Sequence, residues 1–221
     1  MKIGAYGGTF DPIHNGHLDV ARAVTRRFGL DTLLLIPAHR SPHKEPNSLS
    51  GAYHRYAMAA LATMDEPRIR VSTIEVEAPE RPYTFQTMER LRGVYGPEAS
   101  LYFVMGADSY EELNTWREPG RLLAAANLIV AARPGHEISS SHLPVEFQER
   151  VVDLRGRGEL LGDADAGLKG APACSIFLTD YVRQDISSTE IRRRAREGEH
   201  FRELVPPQVA DYVDKYNLYR R

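Results

Sequence analysis

Apolar residues come in two kinds of run along this chain, and the two alternate. Short, nearly continuous apolar stretches predict strands: Ile3 to Tyr6, "TLLLIP" at 32–37, "LYFVMGAD" at 101–108, "NLIVAARPG" at 127–135 and "SIFLTDY" at 175–181. Runs apolar throughout suit strands buried on both faces of a parallel sheet. "RIRVSTIEV" at 68–76 alternates and also reads as a strand. Between them lie segments of helical period: Leu18, Ala21, Val24 and Phe28, then "YHRYAMAALATM" at 53–64, "TFQTMERLRGVYG" ending at Gly96, and "REPGRLLAAA" at 117–126. "PVEFQERVVDLR" at 144–155 reads as one helix, and the Gly-, Ala- and Asp-rich "GRGELLGDADAGLKGAPA" at 156–173 as an exposed loop. "STEIRRRAREG" opens behind Ser187, and Pro206-Pro207 start a last helix, "QVADYVDKY". Strands alternating with helices of this length predict βαβ units, hence an α/β, Rossmann-like open parallel sheet flanked by helices. No internal repeat is present.

Composition narrows the class. A chain of 221 residues is long enough to bury a core without covalent staples. The single Cys174 excludes an intramolecular disulfide and predicts a reducing, cytoplasmic setting. With 28 basic and 30 acidic residues the net charge is −2, which argues against a generic nucleic-acid or membrane-surface binder. No stretch approaches the ~20 apolar residues of a membrane span. The oligomeric state is open, and a homo-oligomer is compatible with the composition.

The chemistry concentrates at residues 7–17, "GGTFDPIHNGH", directly after the first strand. Glycines there let a backbone approach a phosphate, and the helix that follows offers free N–H groups and a positive dipole end. The pattern is neither G-x-G-x-x-G nor a Walker loop, so the glycines alone fit a tight structural turn equally well. His14 and His17, three apart, project from one side of a helical first turn. Metal ligation lacks a third partner, because neither HExxH nor a zinc-type His/Cys spacing is present. Holding phosphate oxygens and neutralising the charge that develops on them suits the pair better.

These eleven residues resemble the HxGH signature of the nucleotidylyltransferase superfamily, and specifically the bacterial nicotinate-nucleotide adenylyltransferases. "PHK" at 42–44, "HRYAM" at 54–58, "YTFQTM" at 83–88, "MGADSYEELNTW" at 105–116, "ARPG" at 132–135 and "ISSTEIR" at 186–192 resemble the family in order and spacing. The resemblance implies a single nucleotidyltransferase domain over residues 1–221. It would carry a variable insertion at about 136–173 and a C-terminal helical part at about 187–221. It implies transfer of an adenylyl group from ATP to nicotinate mononucleotide, with release of pyrophosphate, in NAD biosynthesis. The small-molecule partners would be ATP and nicotinate mononucleotide, with no nucleic acid and no membrane, and the cofactor Mg2+, held mainly by phosphates.

By the same resemblance, His14, His17, Lys44 and Arg192 carry catalysis. Gly8, Thr9, Phe10, Gly106, Asp108, Ile186, Ser187, Ser188 and Thr189 join His14, His17 and Arg192 around ATP. Lys44, Tyr83, Thr84 and Trp116 take the mononucleotide. Read from the residues alone, Lys44 is a solvated loop lysine, Ser187 to Thr189 are helix caps, and Arg193 and Arg194 form a solvated face. Arg55, on a predicted helix, is either merely an exposed cation or a residue with a role that the sequence leaves open, and Arg117 is given no role. Three other functions remain: a related adenylyltransferase such as the pantetheine-phosphate enzyme, a metal-dependent hydrolase using the two histidines, and a nucleotide-binding module without catalysis.

Overall fold

A computed structural model describes residues 1–39, 49–132, 137–156, 174–182, 184 and 186–220. Seven strands, all parallel, form one sheet in the order β3-β2-β1-β4-β5-β7-β6. They are β1 (Lys2–Gly8), β2 (Thr32–Pro37), β3 (Ile69–Val71), β4 (Ser100–Gly106), β5 (Asn127–Ala131), β6 (Val151–Asp153) and β7 (Ile176–Thr179). The helices are α1 (Asn15–Arg27), α2 (Ala52–Ala62), α3 (Thr84–Tyr95), α4 (Ala107–Glu111), α5 (Pro119–Ala125), α6 (Val145–Gln148), α7 (Ser188–Glu197) and α8 (Pro207–Lys215). The expected open parallel sheet with flanking helices is the observed one.

The continuous apolar runs follow from burial on both faces. In β2, Leu33 and Leu35 join the hydrophobic cluster that includes residues of α1, α2, α7 and α8, while Leu34 and Ile36 join the opposite cluster, with α3 and α5. Strand β4 divides the same way, with Tyr102 and Val104 on the first face and Leu101, Phe103 and Met105 on the second. Each fully buried Leu or Ile of this kind contributes on the order of 1.5–3 kcal/mol.

Three sequence expectations change. "PVEFQERVVDLR" is not one helix: α6 stops at Gln148, and Val151–Asp153 is strand β6, paired with β7 as the sheet edge. The open edge of β7 and two adjacent valines override the helical spacing. "RIRVSTIEV" is a strand over Ile69–Val71 only; the Ser72 N–H makes the next bond to β2, at the Leu35 carbonyl. A turn follows, in which the Glu77 N–H bonds the Thr73 carbonyl. "LYFVMGAD" leaves its strand at Gly106, so Asp108 stands in the first turn of α4 and not in the strand. The loop expected at 156–173 lies, after Gly156, outside the described residues.

In this strand order the sheet reverses direction of growth between β1 and β4, whose neighbours on either side are β2 and β5. Open α/β sheets bind ligands at such a point, beyond the carboxyl ends of the strands. Gly7-Gly8 end β1 and Gly106 ends β4 there.

Candidate functional site

A cleft of about 420 Å³ opens at this switch point. Its walls come from α1 (His14, His17), from the β4–α4 junction (Gly106, Asp108), from the end of β5 (Ala131, Ala132) and from Ile186, which precedes α7. Residues far apart in sequence meet here because parallel strands return their C-terminal ends to one side.

The histidines cap the helix that carries them. His14 is the N-cap of α1: its Nδ1 accepts the His17 N–H at 3.4 Å, and His17 Nδ1 accepts the His14 N–H at 3.3 Å. The two rings stack with centroids 3.6 Å apart. A ring nitrogen that accepts carries no proton, so each neutral imidazole holds its proton on Nε2. Burial pushes the His14 imidazolium down to about 4. In this structure His14 therefore offers a neutral N–H dipole at neutral pH, not a cation. Gly16 leaves the stack undisturbed: a Cβ there would come within 3.2 Å of His14 Nδ1, and the ring would have to give by a few tenths of an ångström.

Phe10 stands behind the pair. Its φ is +50°, its ring lies edge-on to His17 at 5.1 Å and to Tyr6 at 5.6 Å, and the residue is buried. A Cβ at Gly8 would fall 2.7 Å from that ring, so Gly8 is explained by Phe10 packing. Gly106 differs: a Cβ there would meet no heavy atom within 4 Å. Its smallness leaves room in the cleft, and no packing contact of the protein requires it.

The sequence places Ser187, Ser188, Thr189 and Arg192 at a phosphate-binding helix start. In the structure, Ser187 Oγ caps α7 by accepting the Glu190 N–H at 3.1 Å. Ser188 Oγ donates to the Pro12 carbonyl at 3.0 Å, and Arg192 donates to the Asp11 carbonyl at 2.7 Å and to Thr189 Oγ1 at 3.2 Å. This helix start is thus fastened to the β1–α1 turn, with Arg192 nearly buried between them. Arg193 and Arg194 form a surface ion network with Glu190, Glu199 and Glu203, as a solvated face should.

Arg55 is not an exposed cation. It is 2% exposed, and its guanidinium donates to the carbonyls of Ser50 (3.1 Å), Thr9 (2.9 Å), Ala38 (2.7 Å) and His39 (3.2 Å). It shares a helical face with Met58, Ala59 and Ala62, the other buried residues of α2. That phase was the available signal, and the charge obscured it.

Asp11 and Tyr219 are further residues that sequence reasoning missed. Asp11 is fully buried, and Tyr219 donates to its Oδ1 at 2.8 Å across 208 residues of chain. No local pattern encodes such a contact.

Of the residues expected at the mononucleotide, Tyr83, Thr84 and Trp116 do not line the 420 Å³ cleft. Thr84 opens α3, and Tyr83, half-exposed before it, lies parallel to Phe85 at 6.1 Å. Trp116 packs edge-on to Phe103 at 6.2 Å, against the cluster on the α3 face of the sheet. Lys44 lies outside the described residues. Among the described residues no three His, Cys, Asp or Glu side chains converge as a metal site, and no helix is long and apolar enough to cross a membrane.

With this geometry in hand, residues 5–194 match the cytidylyltransferase-like family. The chain belongs to that family. Among curated relatives, a probable nicotinate-nucleotide adenylyltransferase of Thermoanaerobacter sp. (strain X514) is 36% identical over 221 residues, covering 100% of this chain and 95% of that one. One of the same name from Thermus thermophilus is 37% identical over 220 residues and 100% of both chains. Among solved structures, the Plasmodium falciparum nicotinic acid mononucleotide adenylyltransferase complexed with NaAD matches with a TM-score of 0.71 at 20% identity, covering 99% of this chain and 97% of that one. The same enzyme complexed with APC matches with a TM-score of 0.69. These last two likenesses bear on the fold alone.

Proposed function

We propose that this member of the cytidylyltransferase-like family is a nicotinate-nucleotide adenylyltransferase. It joins ATP and nicotinate mononucleotide into nicotinate adenine dinucleotide and releases pyrophosphate. The observation that carries the reading is the reciprocal cap of His14 and His17 on the wall of a cleft at the β1/β4 switch point. Full-length similarity to relatives bearing that enzyme's name selects the substrates.

The attacking group is a phosphate whose second pKa lies near 6, so it arrives largely ionised and needs no general base. Catalysis then rests on aligning two polyanions and stabilising charge on the α-phosphate and departing pyrophosphate. The Nε2–H groups of His14 and His17 donate to phosphate oxygens; fixed dipoles in a cleft stabilise developing charge without reorganising. The start of α7, at Ser187, Ser188 and Thr189, adds backbone donors and a positive dipole end. Arg192 braces that start, and Lys44 contacts phosphate. Gly106 leaves space for the nucleotide, and Asp108 binds near its ribose. Thr84, Tyr83 and Trp116 receive the pyridine, Thr84 through backbone donors and Trp116 by stacking.

Magnesium fits this site as a companion of ATP. Hard oxygen donors suit it, and phosphates and water would supply them, so the protein need supply no ligand of its own; among the described residues lining the cleft, Asp108 is the carboxylate. When bound, it offsets charge on the triphosphate. The test is direct: ATP, Mg2+ and nicotinate mononucleotide with the purified protein yield nicotinate adenine dinucleotide, identified by mass. Absence of that product, in a folded sample, refutes the reading.

A further inference from the structure

The turn between β1 and α1 is held from outside. The carbonyls of Thr9, Asp11 and Pro12 accept from Arg55, Arg192 and Ser188, side chains of α2 and α7. The Asp11 carboxylate, fully buried, is held on both oxygens: Ser50 N–H donates to Oδ2 at 3.2 Å and Tyr219 Oη to Oδ1 at 2.8 Å. Arg55 closes the ring by also holding the Ser50 carbonyl.

Tyr219 reaches this place by an unusual path. It lies four residues beyond α8, with φ +70°, where the Leu218 N–H bonds back to the Val213 carbonyl. Its ring and the Leu218 side chain pack against the core cluster on the α1 face, and its hydroxyl also lies 3.9 Å from Met58 Sδ. Burial and the Asp11 carboxylate push the phenol well above the usual tyrosine range, so it stays protonated and donates.

Asp11 is covalently next to Phe10, and Phe10 supports the His17 ring at 5.1 Å. A change at Asp11 thus has a short packed route to the histidine pair. We propose that Tyr219 is a positioning residue, fixing the His14–His17 pair through Asp11 and Phe10 without touching substrate. Small misplacements of groups that align reactants cost large factors in rate. The inference deepens the proposed adenylyl transfer and rests on it for its kinetic readout.

The test compares the full-length wild type with Tyr219→Phe, which keeps the ring and deletes one hydroxyl. Val209→Ala, in the buried face of α8, serves as a control for lost stability with the Tyr219–Asp11 contact intact. Tyr219→Phe should lower kcat about tenfold with KM for both substrates within about threefold of wild type. Amide exchange at residues 9–13 should accelerate by a similar factor while α5 stays protected. Val209→Ala should keep wild-type kcat at a temperature where both variants are folded. Wild-type kcat and wild-type exchange at 9–13 in Tyr219→Phe would overturn the proposal, as would an equal fall of kcat in Val209→Ala. If wild type itself makes no dinucleotide, the functional reading fails, and the exchange at 9–13 decides the positioning role on its own.

Discussion

The Nδ1 atoms of His14 and His17 each accept the other residue's backbone N–H, at 3.4 and 3.3 Å. One pair of rings therefore caps the helix and, in the proposed reaction, donates to phosphate, and the two roles separate by substitution. His17→Ala removes the donor and the acceptor for the His14 N–H, while His14 still caps the residue-17 N–H: turnover should fall roughly 10²-fold or more, with about 1 kcal/mol of stability lost with that hydrogen bond. His17→Asn keeps an acceptor for the His14 N–H, so it should regain stability and remain slow. Steady-state kinetics with thermal unfolding checks this; near-normal turnover in either variant would confine His17 to capping.

Stability should fall on acidification because of His14. Its folded pKa, about 4, lies below the ordinary histidine value of 6.5. Between those values the unfolded chain binds a proton that the folded chain refuses, so the contribution is complete above about pH 6.5 and is lost as pH falls towards 4. The shift corresponds to about 3 kcal/mol. His14→Asn retains a good cap and lacks the titration. Urea unfolding at pH 7 and pH 4.5 should show a smaller loss in this variant than in wild type. Equal losses would mean that other groups dominate.

Arg55→Met leaves the Thr9, Ala38, His39 and Ser50 carbonyls without the donor that holds them. Losing four hydrogen bonds to part-buried acceptors makes this costly, on the order of 3 kcal/mol. Chemical denaturation should register it. A change under about 0.5 kcal/mol, ordinary for a surface cation, would contradict the buried role.

Gly106→Ala isolates room for substrate from fold. The residue has φ −76° and ψ 162°, which alanine adopts freely, and a Cβ meets no atom within 4 Å. Stability should stay within about 0.5 kcal/mol of wild type, while the KM for ATP rises. An unchanged KM would remove Gly106 from the nucleotide site.

Much of the fold was legible because it is local. Leu33 to Ile36 read as a doubly buried strand since every position meets one core face or the other. The glycine turn with its two histidines was legible for the same reason: cap, glycine and donors lie within eleven residues. Strand β6 was hidden because Phe147, Val151 and Leu154 mimic a helical period, and the edge of β7 decides the matter. Arg55 was legible in phase with Met58 and Ala59 but disguised by its charge. The Tyr219–Asp11 contact joins opposite ends of the sequence and depends wholly on tertiary packing.

Trp116→Ala should mainly raise the KM for the mononucleotide. The ring packs against Phe103 on the α3 face of the sheet, away from the histidine cleft. An effect confined to ATP would contradict stacking on the pyridine.

The central claim is tested most directly by pyrophosphate release from ATP-Mg with three acceptors in parallel: nicotinate mononucleotide, nicotinamide mononucleotide and phosphopantetheine. Preferred turnover with nicotinate mononucleotide is the predicted result. Turnover with that acceptor no greater than with the other two would contradict it.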